Sequence, residues 1–166
     1  MLVAFFMTLL DSFDTSFGVI SSRTRAILEL TSSDILYIRP RDLPHTFAMF
    51  TVGEYVLRSA AAVEQTFGGI TTRLWDDPFE WTLPEKMNSV ERVKEYLDEV
   101  DTIRKNGIAF IATDESLMKS IPAPVNVLPI SRVLMNTLSR SEHYLGRAYA
   151  VFQMISDQKL PRIESF

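Results

Sequence analysis

The sequence predicts an all-α fold, a single four-helix bundle with one long crossover loop. Along four long segments, apolar residues recur at intervals of three, four and seven, which is the spacing of amphipathic helices. No segment alternates apolar and polar residues with β-branched enrichment, so we expect no strands. Because a chain of 166 residues is long enough to bury one sizeable core, residues 1–166 are assigned to a single domain.

The composition limits the partners that this chain can have. The net charge is −4 and no basic stripe is present, which argues against a nucleic-acid-binding protein. The chain has no cysteine, which excludes disulfides and thiolate metal sites and fits a cytoplasmic protein. Residues 1–10 are an apolar N-terminal extension without the positively charged start of a signal peptide, and they are fewer than the about 20 residues that span a bilayer. We expect a buried helix start or a dimer contact there, and no membrane partner.

The first, third and last helices are predicted from their apolar stripes. Their expected ranges are about 9–30, 90–110 and 129–155. Charged residues crowd the rest of the third helix, and we interpret this face, which includes Arg104, as solvated. A brief helical piece is predicted over residues 113–121, where two prolines then stop it.

The second helix has the clearest start signal. Thr51 and Glu54 match a capping box, and the helix is predicted over residues 51–67. Gly68 and Gly69 are expected to end it.

A long connection over residues 70–87 follows the second helix and carries two tryptophans. Trp75 and Trp81 can either form a lid, together with Asp76, or hold the loop against the helices. The second arrangement is the commoner one in loops.

The last helix concentrates polar side chains. Arg140 and Tyr144 are four residues apart and therefore share one helix face, while Gly146 is small enough to let a neighbouring helix approach. His143 lies about 100° around the helix, either at the edge of the same region or against another helix. His45, in a proline-flanked loop, is interpreted as incidental. No P-loop, zinc-protease, nucleophile-elbow, dinucleotide or di-iron motif is present.

The order of four short motifs resembles the DinB/YfiT-like superfamily of four-helix bundles, which are regarded as metal-dependent enzymes. The resemblance covers residues 13–161, nearly the whole chain. Residues 26–30 and 33–40 are similar to the family's first helix and the turn after it. Residues 50–58 are similar to the start of its second helix, and residues 143–147 to a histidine-containing motif in its last helix.

The resemblance places the family's metal ligands at positions that hold no histidine here. One histidine of the second helix and two of the last helix, four residues apart, bind a divalent metal in that family. The matching positions are Arg58, Arg140 and Tyr144, and His143 matches only the neighbour of a ligand. Arginine cannot be deprotonated to bind a metal. We therefore predict no metal in this site and no cofactor.

Two interpretations of the substituted positions stay open. In the first, Arg58, Arg140, Tyr144 and a glutamate form a satisfied polar network, with Glu54 pairing Arg58 along its helix and a carboxylate of the third helix facing Arg140. In the second, the two arginines bind the carboxylate or phosphate of a small ligand and Tyr144 donates a hydrogen bond.

The functional prediction draws on both interpretations, and the resemblance suggests the dimer. We expect a homodimer that has lost the family's metal site and is either a non-catalytic binder of a small anion or a structural member. The alternative is a transferase or hydrolase that acts on a small anionic or thiol-containing substrate held by Arg58, Arg140 and Tyr144. That alternative requires the three side chains to converge in a solvent-connected pocket.

Overall fold

The computed structural model describes residues 7–41 and 50–162. This part of the chain is predominantly helical and contains four long helices and one short one: α1 (Leu9–Leu30), α2 (Ser33–Leu36), α3 (Val52–Thr72), α4 (Val90–Ile111) and α5 (Ile130–Ile155). The all-α class is therefore confirmed. Among the described residues, no helix combines the length and apolar character needed to cross a bilayer. His45 and the first six residues lie outside the described ranges.

A short hairpin between α4 and α5 corrects the expectation that the chain has no strands. Strands β1 (Ser120–Pro122) and β2 (Val127–Pro129) pair antiparallel, with Ile121 opposite Leu128. The helical piece predicted through Ile121 is only a 3₁₀ turn, Glu115–Met118. Strands of three residues are too short to show alternation in a sequence, which explains why the pattern does not reveal them.

The ends of α1 confirm the predicted range of the first helix. The N-cap residue Thr8 and Asp11 form a capping box. Asp114, far away in sequence, also accepts hydrogen bonds from the backbone N–H groups of Leu9 and Leu10, at 2.9 and 2.8 Å. This carboxylate satisfies two free N–H groups at the positive end of the helix dipole and ties the start of α1 to the chain after α4.

The C-terminal end of α3 differs from the prediction. The capping box of Thr51 and Glu54 starts the helix as expected, but the helix continues past Gly69 to Thr72. Gly69 has a packing role: a Cβ atom there would lie 2.3 Å from the Trp75 ring, so only glycine lets the indole rest on the helix. The helix ends at Arg73, whose left-handed backbone (φ 66°) interrupts the helical path.

The long helices pack in neighbouring pairs, with α3 and α1 each contacting both α4 and α5. Their shared core is apolar, and Phe17 and Phe67 meet edge to face within it with ring centroids 5.2 Å apart. Gly107 of α4 lies against Phe67, where an added Cβ would approach the ring to 2.3 Å.

Arg104 is buried in the contact between α1 and α4, which corrects its assignment to a solvated face. Only 7% of the residue is exposed, and its guanidinium pairs with Asp14 of α1. Desolvation by burial lowers the pKa of Arg104. A charged group in such a place requires a partner, and the pair with Asp14 provides it.

Candidate functional site

Side chains of α3 and α5 line a cavity of about 110 Å³, which we call the small cavity. Arg58 comes from α3, and Arg140 and Tyr144 come from α5. The structure thus brings these three predicted site residues together. The spacing of four between Arg140 and Tyr144 places them one turn apart on the same face of α5. The remaining lining residues are Ala61, Ala62, Gln65 and Asp77.

Hydroxyl side chains hold α3 against α5 beside this cavity. Ser59 Oγ donates to the backbone oxygen of Ser141 at 2.9 Å, and Ser141 Oγ donates to the backbone oxygen of Ser59 at 3.0 Å. Such reciprocal bonds to backbone require close helices, and small residues at the contact allow them. The predicted role of Gly146 in helix approach is wrong: an added Cβ at that position would meet nothing within 4 Å.

The two arginines of the small cavity have only neutral partners. Arg140 Nη2 donates to Gln65 Oε1 at 3.1 Å and lies 3.5 Å from the backbone oxygen of Ala62. The Arg58 guanidinium carbon lies 4.1 Å from the centroid of the Phe50 ring, a cation–π contact. Among the side chains that the structure describes, those of residues 7–41, 50–79 and 81–162, neither arginine belongs to an ion pair.

Glu54 does not pair with Arg58, contrary to the prediction. Its carboxylate instead accepts hydrogen bonds from the backbone N–H and the hydroxyl of Thr51, at 2.8 and 2.9 Å. Both hydrogen bonds use Oε2, so the capping box directs the Glu54 side chain back to the start of α3. Glu54 still lines a neighbouring cavity of about 80 Å³ on the other side of Arg58.

Asp77 is a lining residue that the sequence analysis missed. It lines both the small cavity and the neighbouring one, and its Oδ1 accepts from the Phe79 backbone N–H at 3.2 Å. The signal was present in the sequence, because aspartate before proline is a common N-cap of a helical turn. The loop after α3 therefore contributes one carboxylate to a site with two guanidinium groups.

His143 lies beside the small cavity and does not line it. The side chain is exposed, and its Nε2 accepts a hydrogen bond from Arg147 Nε at 2.9 Å. Its ring contacts the Tyr144 ring edge to face at 5.8 Å, and Tyr144 in turn lies 6.4 Å from Tyr55. His143 thus belongs to an aromatic and cationic surface next to the site.

A cavity of about 360 Å³ adjoins the small one, and we call it the large cavity. Gln65 and Arg140 line both. Its other walls come from α3, α5, the loop after α3 and the hairpin: Thr66, Trp75, Ala123, Pro124, Val125, Asn126, Leu128, Val133, Asn136 and Thr137. The sequence analysis did not predict it, because one wall depends on the unpredicted hairpin.

Both tryptophans of the loop are tied to neighbouring elements. Trp75 Nε1 donates to the backbone oxygen of Pro122 in β1 at 3.1 Å. Trp81 Nε1 donates to Glu64 Oε1 of α3 at 3.2 Å. Trp75 is at the same time a wall of the large cavity, so it holds the loop in place and shapes the site.

Among the described residues, no three histidine, aspartate or glutamate side chains are grouped so that they could hold a metal ion. Comparisons with family models, with curated proteins and with solved structures found no match.

Proposed function

We propose that this chain is a DinB/YfiT-like four-helix bundle, with the expected crossover loop, that binds a small anion between α3 and α5 without a metal. The observation that carries the proposal is the pair Arg58 and Arg140: two guanidinium groups from different helices line one cavity, and neither has an ion-pair partner among the described side chains. Like charges in a partly enclosed space repel, and an anion between them removes that cost.

The donors of the site suit a carboxylate or a phosphate. A guanidinium presents paired N–H groups that match two oxygens of such an anion, and charge-assisted hydrogen bonds of this kind are the strong ones. Gln65 orients Arg140 by accepting a hydrogen bond through its neutral amide, which leaves the positive charge of Arg140 uncompensated. Tyr144 adds a hydroxyl at the same cavity.

Calorimetric titration with sodium acetate and sodium phosphate at constant ionic strength tests the proposal. We expect R58Q and R140Q each to weaken binding by about tenfold or more, because each loses a charged hydrogen bond. R132Q is the matched control, since Arg132 is an exposed residue on α5 that lines none of these cavities. Equal weakening in R132Q, or no binding by the wild type, would contradict an anion site at this position.

The alternative function, a transferase or hydrolase, is favoured by one observation. Asp77 places a proton-accepting carboxylate at the same open cavity as the two arginines and Tyr144. The variant D77N separates the two functions and keeps a residue that caps the turn well. In a binder, removal of this negative charge strengthens anion binding. In an enzyme, D77N strengthens binding in the same way and in addition loses turnover.

We further propose a cytoplasmic homodimer. The support is apolar surface at the start of α1, where Met7 and Leu9 are 65% and 51% exposed. Light scattering after gel filtration at micromolar concentration gives the mass directly, and a monomer mass at all concentrations would contradict the dimer.

A further inference from the structure

We propose that the anion is the carboxylate head of a molecule with an apolar body, such as a medium-chain fatty acid, and that the large cavity holds this body. The inference rests on the proposed anion site and names its ligand class. Arg140 and Gln65 line both cavities, so the head group and the body of one molecule can occupy adjoining spaces. A carboxylate between Arg58 and Arg140 then directs its chain past Arg140 towards Trp75.

The large cavity has the size of a ligand pocket. Its volume of about 360 Å³ lies within the range of roughly 300–1,000 Å³ that is typical of small-molecule sites. The small cavity, at about 110 Å³, has room for a head group and little more. An inorganic anion would use only the smaller space and leave the larger one without a role.

The polar atoms in the deep wall of the large cavity are already bonded to one another. Thr137 Oγ1 donates to the backbone oxygen of Val133 at 3.0 Å and lies 2.6 Å from Thr66 Oγ1, which donates to it. Gln65 uses both ends of its amide, donating to the backbone oxygen of Trp75 and accepting from Arg140. The two hydroxyl hydrogens therefore bond within the protein, and the Gln65 amide has one protein partner at each end.

The surface that remains for a ligand is mostly apolar. The Trp75 indole N–H is bonded to Pro122, so this side chain offers its ring and not its donor. Leu128 and Val133 supply further apolar walls, while Pro124, Val125, Asn126 and Asn136 line the exposed part of the cavity. A ligand therefore finds charge only at the Arg140 end, and this polarity matches an amphipathic carboxylate.

A chain-length series tests the inference. We would titrate the whole protein with acetate, butanoate, hexanoate and octanoate at constant ionic strength, below micelle-forming concentrations. Burial of each methylene is expected to tighten binding about three- to fourfold, until the cavity is full. Octanol, which has the same chain and no charge, should bind far more weakly than octanoate.

Variants at the cavity opening separate this inference from the anion site itself. N136W fills the large cavity from an exposed position, and it should weaken octanoate binding by about tenfold or more while acetate binding is unchanged. M135W is the control, because Met135 is the exposed neighbour that does not line the cavity. N136F serves as a second variant if the larger ring impairs folding.

The outcomes distinguish the two claims. If acetate and octanoate bind equally and both need Arg58 and Arg140, the anion site stands and the apolar ligand class is wrong. If octanol binds as tightly as octanoate, the large cavity acts independently of the arginines and the inference is also wrong. If no anion binds at any chain length, the proposed function itself fails.

Discussion

The contact between α1 and α4 and the contact between α3 and α5 both contain arginines, but only the first neutralises them. Arg25 of α1 lies 2.8 Å from Asp98 and 2.9 Å from Asp101 of α4, and Arg104 pairs with Asp14. Arg58 and Arg140 face an aromatic ring and an amide. The same residue type thus joins helices through ion pairs where carboxylates face it, and contacts neutral groups where they do not.

The arrangement of the helices explains this difference. The sequence analysis allows a carboxylate of the third helix, α4, to face Arg140. In the structure α4 packs on α1 and α3, and its Asp98 and Asp101 are directed to Arg25. Glu64, a carboxylate on α3, accepts from Tyr96 of α4 and from Trp81, and so it too is directed away from Arg140.

The largest expected effect concerns Asp101, which accepts from Ser21 and Arg25 and lies 3.5 Å from Arg104 Nε. We expect D101N to lower the free energy of unfolding by about 2–4 kcal/mol, because it leaves two largely covered guanidinium groups short of charge compensation. D98N is the control, since the Asp98 side chain is 73% exposed and should cost at most about 1 kcal/mol. Urea unfolding of both variants measures the difference, and equal losses would remove the distinction between the two aspartates.

Two glycines, one on α4 and one on α5, extend the comparison to the packing of the helices. G107A on α4 forces a Cβ against the Phe67 ring and should cost about 1–3 kcal/mol. G146A on α5 meets open space within a helix and should stabilise the protein by about 0.5–1 kcal/mol. Thermal unfolding of both variants tests this, and effects of the same sign would contradict the close packing at Gly107 or the open space at Gly146.

The pH dependence of stability tests the hydrogen bond that Tyr96 donates to Glu64. Burial and the neighbouring Glu64 carboxylate raise the pKa of Tyr96 well above its usual range. As the pH rises, the unfolded chain loses this proton at an ordinary tyrosine pKa of about 10. The folded state still holds the proton at that pH. The contribution of Tyr96 to the free energy of unfolding is fully present below about pH 10 and is lost as the pH rises further.

We expect Y96F to cost about 1–2 kcal/mol at neutral pH, through the lost bond to Glu64. The difference between wild type and Y96F should shrink above about pH 10, because only the wild type loses this contribution. Urea unfolding from pH 7 to pH 11 measures both quantities. A difference that stays constant over this range would show that the phenol does not hold its proton as described.

Periodicity predicts the helices well and the charged interior poorly. It treats every charged residue as exposed, so it cannot identify Arg104, whose burial depends on a partner 90 positions away in sequence. Glycines are taken as helix ends, whereas Gly69 is a packing position under Trp75. The order of short motifs predicts that Arg58, Arg140 and Tyr144 lie close together. It does not predict the large cavity. Its walls come from segments whose proximity only the folded chain defines.

The smallest expected effect is on the stability of R140Q, and it tests the comparison most directly. Arg140 is exposed and bonded to neutral groups, so glutamine removes one hydrogen bond to Gln65 and also the repulsion with Arg58. These terms oppose each other, and the free energy of unfolding should change by less than about 0.5 kcal/mol while anion binding weakens by about tenfold or more. R104Q, in contrast, should lose several times more, because it removes a buried guanidinium that lies against both Asp14 and Asp101 and leaves a smaller side chain in its place. Urea unfolding of the two variants without added ligand measures both changes in the free energy of unfolding. If R140Q is as destabilised as R104Q, Arg140 joins helices as Arg104 does, and the contact between α3 and α5 loses its claim to be a binding site.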